Sequence, residues 1–200
     1  LGDVITTPQV LLVRSSLGVK SFQELVAYAK ANPGKLNFGS TANHLDLIAA
    51  LLRLKTGLSY TPIRYKGAPV TEMLRGETDF FLGTLSGLAP HIQAGKIAPL
   101  LFVSRQDVYP GVPNAFDLGL TSSPIRQTWG YSGPPGLPRD VVQRISEALL
   151  VATKSPQVGA EIRRLGLDVY FSTPEQQQQD YNLMIAQLTE VARATNFVAQ

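Results

Sequence analysis

Short apolar runs alternate along this chain with stretches whose apolar residues recur every three or four positions, a pattern that predicts strands followed by helices. Residues 3–14 read as one extended segment centred on Val10, Leu11, Leu12 and Val13. Ser21, with Glu24 after it, forms a capping box for a helix whose buried stripe is Phe22, Leu25, Val26 and Ala29, and Asn32-Pro33-Gly34 stops that helix. A strand over 35–38 leads to a second helix capped by Asn43, lined by Leu47, Ile48, Leu51 and Leu52 and ended by Gly57. The alternation repeats as a strand over 58–64, a helix over 69–74 with proline at a permitted first-turn position, and a strand over 79–82. Leu85, Leu88, Ala89 and Ile92 mark a further helix stopped at Gly95, and 97–103 is another strand. Such a series points to parallel strands joined by helical crossovers, an α/β fold.

A proline- and glycine-rich stretch over 109–124 interrupts the series, with a helical turn at 114–118. Residues 127–132 are extended, and the turn Gly133-Pro134-Pro135-Gly136 opens a helix over 139–152. Ser155-Pro156 starts another that ends near Gly166, and 167–171 is a strand. Thr173-Pro174 starts the last helix, with Tyr181, Met184, Ile185, Leu188 and Val191 on one face.

Composition narrows the class. Two hundred residues hold one large domain or two small lobes, and the net charge of +3 is mild. Lysines and arginines are scattered, with Arg163-Arg164 the only adjacent pair, which speaks against a nucleic-acid partner. The absence of cysteine rules out disulfides, thiolate chemistry and Cys-based zinc sites. The longest apolar stretch, 45–54, is interrupted by Asp46 and Arg53 and is too short to span a bilayer. The chain opens on Leu1-Gly2-Asp3 with neither an initiator methionine nor a secretory signal, which suggests a processed or cut terminus.

Three strand-to-helix junctions carry the candidate chemistry: Gly39-Ser40-Thr41-Ala42-Asn43, Tyr65-Lys66-Gly67-Ala68-Pro69 and Gly83-Thr84-Leu85-Ser86-Gly87. The first turn of a helix carries unpaired N–H donors and a partial positive charge, so several such turns along one sheet edge suit a carboxylate or phosphate. Each has a plainer alternative: a turn and cap at 39–43, an amphipathic pair covering apolar surface at Tyr65-Lys66, a helix cap at Thr84. His44 and His91, the only histidines, are too far apart in sequence to suggest a metal site, and no cofactor is implied. Trp129 reads as a core or hinge aromatic on a crossing strand, with lining the cleft as the alternative, and Asp79, at the start of a strand, as structural. Nucleophile-elbow, phosphate-loop and dinucleotide signatures are absent, which lowers the case for an enzyme.

The order of elements resembles the Bug family, the periplasmic solute receptors of tripartite tricarboxylate transporters. The residues that carry the resemblance are Val19-Lys20-Ser21-Phe22-Gln23-Glu24-Leu25, Ala31-Asn32-Pro33-Gly34-Lys35-Leu36-Asn37-Phe38-Gly39-Ser40, Leu51-Leu52-Arg53-Leu54-Lys55-Thr56-Gly57 and Tyr65-Lys66-Gly67. Pro90-His91-Ile92-Gln93-Ala94-Gly95-Lys96, Gly111-Val112-Pro113, Trp129-Gly130 and the Pro-Gly turn before Pro138 continue it over nearly the whole chain. The resemblance implies a type II periplasmic-binding-protein-like fold with one complete α/β lobe and the C-terminal part of a second. Residues 8–126 would form the ligand-binding lobe, and 127–200 with 1–7 the rest of the other lobe and the crossing strands. It implies a non-catalytic periplasmic receptor for a small organic acid, a di- or tricarboxylate or an aromatic acid, handed to membrane transporter subunits. Carried over by position, ligand contacts come from Ser40, Thr41, Tyr65, Lys66, Gly67 and Thr84; Asn43 and Gly83 join them from the junction reading.

Relative to the family pattern, the N-terminal part is missing, the loop after Gly39-Ser40 is shortened, Gly83-Thr84 stands where many relatives carry a polar pair, and Arg64 replaces a common proline. The missing part leaves the apolar faces of helices 139–152 and 174–195 without their usual sheet. Either the chain is a fragment of a longer receptor or a second copy covers them in a homodimer. Two other functional classes stay open: the effector-binding domain of a transcriptional regulator, and an α/β enzyme acting on an acidic metabolite.

Overall fold

The computed structural model describes residues 1–85, 88–103, 111–122, 125–165 and 167–198. It divides the chain into two compact units, one of residues 8–125 with 186–200, the other of residues 1–7 with 126–185. The C-terminal residues from 186 thus group with the central lobe rather than with 127–185. The predicted single extended segment is two strands, β1 (Gly2–Thr7) and β2 (Gln9–Arg14), which lie in different sheets. Pro8 separates them, because it has no N–H to continue a ladder.

The larger unit is built on a five-stranded sheet. Its members are β2, β3 (Asn37–Ser40), β4 (Thr61–Arg64), β5 (Phe80–Thr84) and β6 (Ile97–Phe102), in the order β4-β3-β5-β2-β6. β3 runs parallel to both β4 and β5, whereas β2 is antiparallel to β5 and β6. The expected all-parallel sheet is therefore mixed: β3 to β6 share one direction and β2 runs against them. The carboxyl ends of β3, β4, β5 and β6 consequently meet on one edge, beside the start of β2.

Helix α1 (Phe22–Ala31) starts at the expected Ser21 cap, whose hydroxyl accepts from the Glu24 amide at 3.1 Å, but the returning Glu24 carboxylate accepts from the Lys20 amide at 2.8 Å, one residue before the cap, rather than from Ser21 as in a capping box. α2 (Asn43–Thr56) ends at Gly57, whose φ of 76° is a conformation glycine adopts without steric cost. α3 (Val70–Arg75) and α4 (Ala89–Gln93) are short. α4 starts later than its apolar spacing suggests, because Pro90 is tolerated only in a first turn. One core cluster joins Val10 and Leu12 of β2, Phe81 of β5, Met73 of α3, and Ile97 and Phe102 of β6. Across the sheet, Phe38, Phe80 and Tyr60 form a ring cluster with centroids 5.2–5.6 Å apart.

Asp79 knits the sheet edge opposite the strands' carboxyl ends. Its Oδ1 accepts from Arg14 Nε at 2.8 Å and pairs with the same guanidinium's terminal nitrogen at 2.8 Å, while its Oδ2 accepts from the Asn37 amide at 2.7 Å. A buried, doubly satisfied carboxylate tying three strands is the structural role its position suggested.

The smaller unit holds the antiparallel sheet β7-β1-β8, with β7 (Gln127–Tyr131) and β8 (Asp168–Val169) flanking β1. Helices α5 (Arg139–Thr153), α6 (Pro156–Arg164) and the first part of α7 (Pro174–Ala194) accompany it. Asp3 is buried and satisfied, accepting from the Ser172 hydroxyl and from Gln177 Nε2, both at 3.0 Å. Apolar burial is thin here: among the described residues Ile162 is this unit's only buried hydrophobic side chain. Of the stripe expected on α7, Val191 is buried, but Tyr181 is 55% exposed and Ile185 also faces solvent. Val151 of α5 is 70% exposed, and Trp129, expected in a core or hinge, is exposed on β7. The predicted helix stop at Gly166 lies outside the described residues.

Candidate functional site

All three junctions lie on the shared carboxyl edge of adjacent strands. Ser40 ends β3 opposite Arg64 of β4, and the Tyr65 amide donates to the Ser40 carbonyl at 2.8 Å, closing the first two junctions against each other. On β5, Gly83 pairs with Val10 and Thr84 with Gln9, so the third junction borders the start of β2. Ser86 and Gly87 of that junction lie outside the described residues. Gly39 allows the close approach that shapes this edge: a Cβ there would lie 2.5 Å from Pro69 Cγ and 3.0 Å from Thr78 Cγ2.

Helix α2 begins one residue earlier than expected. Its N-cap is Ala42, in extended conformation, whose carbonyl accepts from the amides of Leu45 and Asp46 at 3.0 and 3.1 Å. Asn43 is therefore the first helical residue and not the cap. Alanine has no side-chain acceptor to offer, and no side-chain cap bond is formed at α2, α3 or α4. Among the described residues the structure records no side chain accepting from the Asn43 and His44 amides of α2, an arrangement suited to an anion. With six and five residues, α3 and α4 supply local amides but little macrodipole, so the expectation of three equivalent positive helix ends narrows to one. Thr84 does not cap α4, which starts at Ala89 behind Leu88.

Arg64 is the residue that sequence reasoning placed only as a departure from the family pattern. Its guanidinium donates to the Ser40 hydroxyl at 2.9 Å, to Asp46 Oδ2 at 3.2 Å, and to Asn43 Oδ1. The Ser40 side chain is thereby buried under Arg64 rather than presented at the edge. Asn43 and Asp46, three apart on the first turn of α2, were the sequence signal for such a clasp: two acceptors on one face of a helix start. Arg64 offsets the Asp46 charge, leaving the partial positive charge of the helix end in place.

The other expected residues are distributed as follows. The Tyr65 hydroxyl accepts from Thr78 Oγ1 at 3.0 Å, which fixes the ring against the α3–β5 turn and leaves its own proton to donate. Lys66 and Gly67 are exposed, while Thr41, Gly83 and Thr84 are half-buried. Among the described residues no group of three or more His, Asp or Glu side chains is placed to hold a metal, and no helix is long and apolar enough to cross a membrane.

A mixed sheet with one strand inserted against its neighbours and a second α/β unit are those of a fold of the type II periplasmic-binding kind. The chain belongs to the tripartite tricarboxylate transporter receptor family, TctC, whose pattern matches residues 1–199. It is 30% identical over 176 residues to the UPF0065 protein in gbd 5'region of Cupriavidus necator, covering 84% of this chain and 53% of that protein. It is 26% identical over 182 residues to BugT of Bordetella pertussis, covering 88% and 55%. Among solved structures, R. palustris Rpa4515 with adipate superposes with a TM-score of 0.76 at 25% identity, covering 96% of this chain and 66% of the other. The chain thus spans about half the length of these curated relatives and two thirds of the solved one. That coverage fits one complete α/β lobe with the C-terminal part of a second. The family is one of solute receptors, not of catalysts.

Proposed function

We propose that this chain forms the ligand-gripping part of a periplasmic receptor that captures a small dicarboxylate for a tripartite tricarboxylate transporter. The observation that carries the reading is the uncapped first turn of α2, set on the same edge as the Tyr65-Lys66-Gly67 turn and Thr84. One carboxylate would accept from the Thr41 and Asn43 amides; Lys66, the Gly67 amide and the Thr84 hydroxyl would meet the remaining oxygens. A helix end of this kind adds about 0.3–1 kcal/mol per charge, and a charge-assisted hydrogen bond about 1.5–3 kcal/mol. Binding therefore rests on the turn contacts more than on the dipole. The adipate in the structure of Rpa4515, which is 25% identical to this chain, supports an aliphatic diacid as the ligand class.

Thermal melts with adipate, succinate and citrate, followed by calorimetry on any acid that stabilises, test this. Ligand at one hundred times its Kd would stabilise the fold by about 2.7 kcal/mol. Lys66→Ala and Thr84→Val are expected to weaken the preferred acid about tenfold each while leaving the unliganded melt unchanged. Stabilisation that neither variant alters would overturn the reading.

A further inference from the structure

A cavity lies within the larger unit, with Arg64 and Ser40 in its lining. It measures about 210 Å³ and is bounded by one face of α2, the Phe38 and Tyr60 rings, and the C-terminal segment at Phe197 and Val198. That is room for several waters, the size of a compact organic molecule rather than of a single ordered solvent.

Its polar groups are few. Asp46 and Arg53 sit on the same face of α2, seven residues apart and so about 10 Å along the axis. At one end Asp46 Oδ2 is held by Arg64, but Asp46 Oδ1 is buried without a hydrogen-bond partner among the described residues. An unsatisfied buried carboxylate oxygen is costly, and a donor arriving there recovers that cost. At the other end the Arg53 guanidinium stacks 5.3 Å from the Tyr60 ring centroid, and no acidic side chain pairs with it among the described residues. Between the two ends the walls are aromatic or apolar, with Phe38 and Tyr60 in edge contact at 5.2 Å and Ala50 on the helix side.

We propose that this cavity binds a small aryl carboxylate that carries a hydrogen-bond donor on the far side of its ring. The carboxylate pairs with Arg53, the ring packs against Phe38, Tyr60 and Phe197, and the donor reaches Asp46 Oδ1. Two guanidinium groups against one carboxylate leave the cavity net positive, which excludes a cation and favours a monoanion. The cavity shares Ser40, Asp46 and Arg64 with the clasp at the strand ends, but its proposed anion partner is Arg53 where that of the diacid grip is Lys66, so variants of Arg53 and of Lys66 tell the two apart.

The test is calorimetry of the 200-residue chain with 4-hydroxybenzoate and with benzoate. 4-Hydroxybenzoate is expected to bind saturably and benzoate about tenfold more weakly, because it leaves Asp46 Oδ1 without a donor. Arg53→Gln is expected to weaken both about tenfold or more, and Lys66→Ala neither. Amide chemical shifts on titration, confined to Thr195, Phe197 and Val198 with α2, give a readout that needs no variant. Absence of saturable binding up to about 10 mM by a chain that melts cooperatively would overturn the proposal. So would equal affinity for the two acids, or loss of binding in Lys66→Ala but not in Arg53→Gln.

Discussion

Replacing Asp79 by alanine removes the acceptor for the Arg14 guanidinium and the Asn37 amide together, at the edge of the sheet farthest from the candidate site. The carboxylate is 6% exposed and Arg14 is 22% exposed. Breaking a buried pair by deleting one partner costs about 3–5 kcal/mol, and the partly solvated Arg14 places this change near the lower end, at about 3 kcal/mol. For a chain of this size about 2–4 °C of melting temperature accompanies each kcal/mol, so the melt should fall by about 6–12 °C. Far-UV circular dichroism reads the change. Fluorescence of Trp129, the chain's only tryptophan, reports on the other unit and serves as an internal reference. Asp79→Asn, which keeps an acceptor for the Asn37 amide, should lose less. Diacid affinity measured below the lowered melt should stay within about twofold, since no contact of the pair reaches the carboxyl edge. A melt within about 2 °C of the parent would refute the view that this ion pair binds β2, β3 and β5 together.

Two other perturbations follow from the same geometry. Gly39→Ala places a methyl group against Pro69 and Thr78, so it should cost about 1–3 kcal/mol in a denaturant titration and also weaken the diacid by displacing the Tyr65–Pro69 turn; an unaffected ligand affinity would show that the turn does not carry binding. Burial, partly opposed by Arg53, pushes the Tyr60 phenol up from 10.0 to about 12. The folded-state value lies above the unfolded one, so this contribution, of order 2–3 kcal/mol, is whole below pH 10 and is lost as pH rises toward 12. Tyr60→Phe should flatten that alkaline fall in a urea-midpoint series, and an unchanged slope would assign it to other groups.

The local periodicities were legible where one short segment decides the outcome. Ser21 with Glu24 set the start of α1, Gly57 the end of α2, and the apolar centre of β2 its burial. Sheet direction was not legible, because Val10 to Val13 read alike whether the strand runs with its neighbours or against them. The Pro8 break was visible in the sequence but needed the ladder pattern to become two strands in two sheets. At the site, the three junctions were legible as strand-to-helix turns. The Arg64 clasp was not, since it joins β4 to the first turn of α2 through side chains eighteen to twenty-four residues apart. The exposed apolar face at Tyr181 and Ile185 reflects a stripe whose periodicity predicts burial while this chain covers only its C-terminal end.

The most direct measurement is a two-dimensional amide NMR titration of the chain with adipate. A diacid held at the strand ends will shift the amides of Thr41, Asn43, Lys66, Gly67 and Thr84 along saturating curves that share one Kd, and leave Arg14 and Asp79 in place. Shifts that miss all five of these amides at saturation, or an adipate titration that moves nothing, would contradict it.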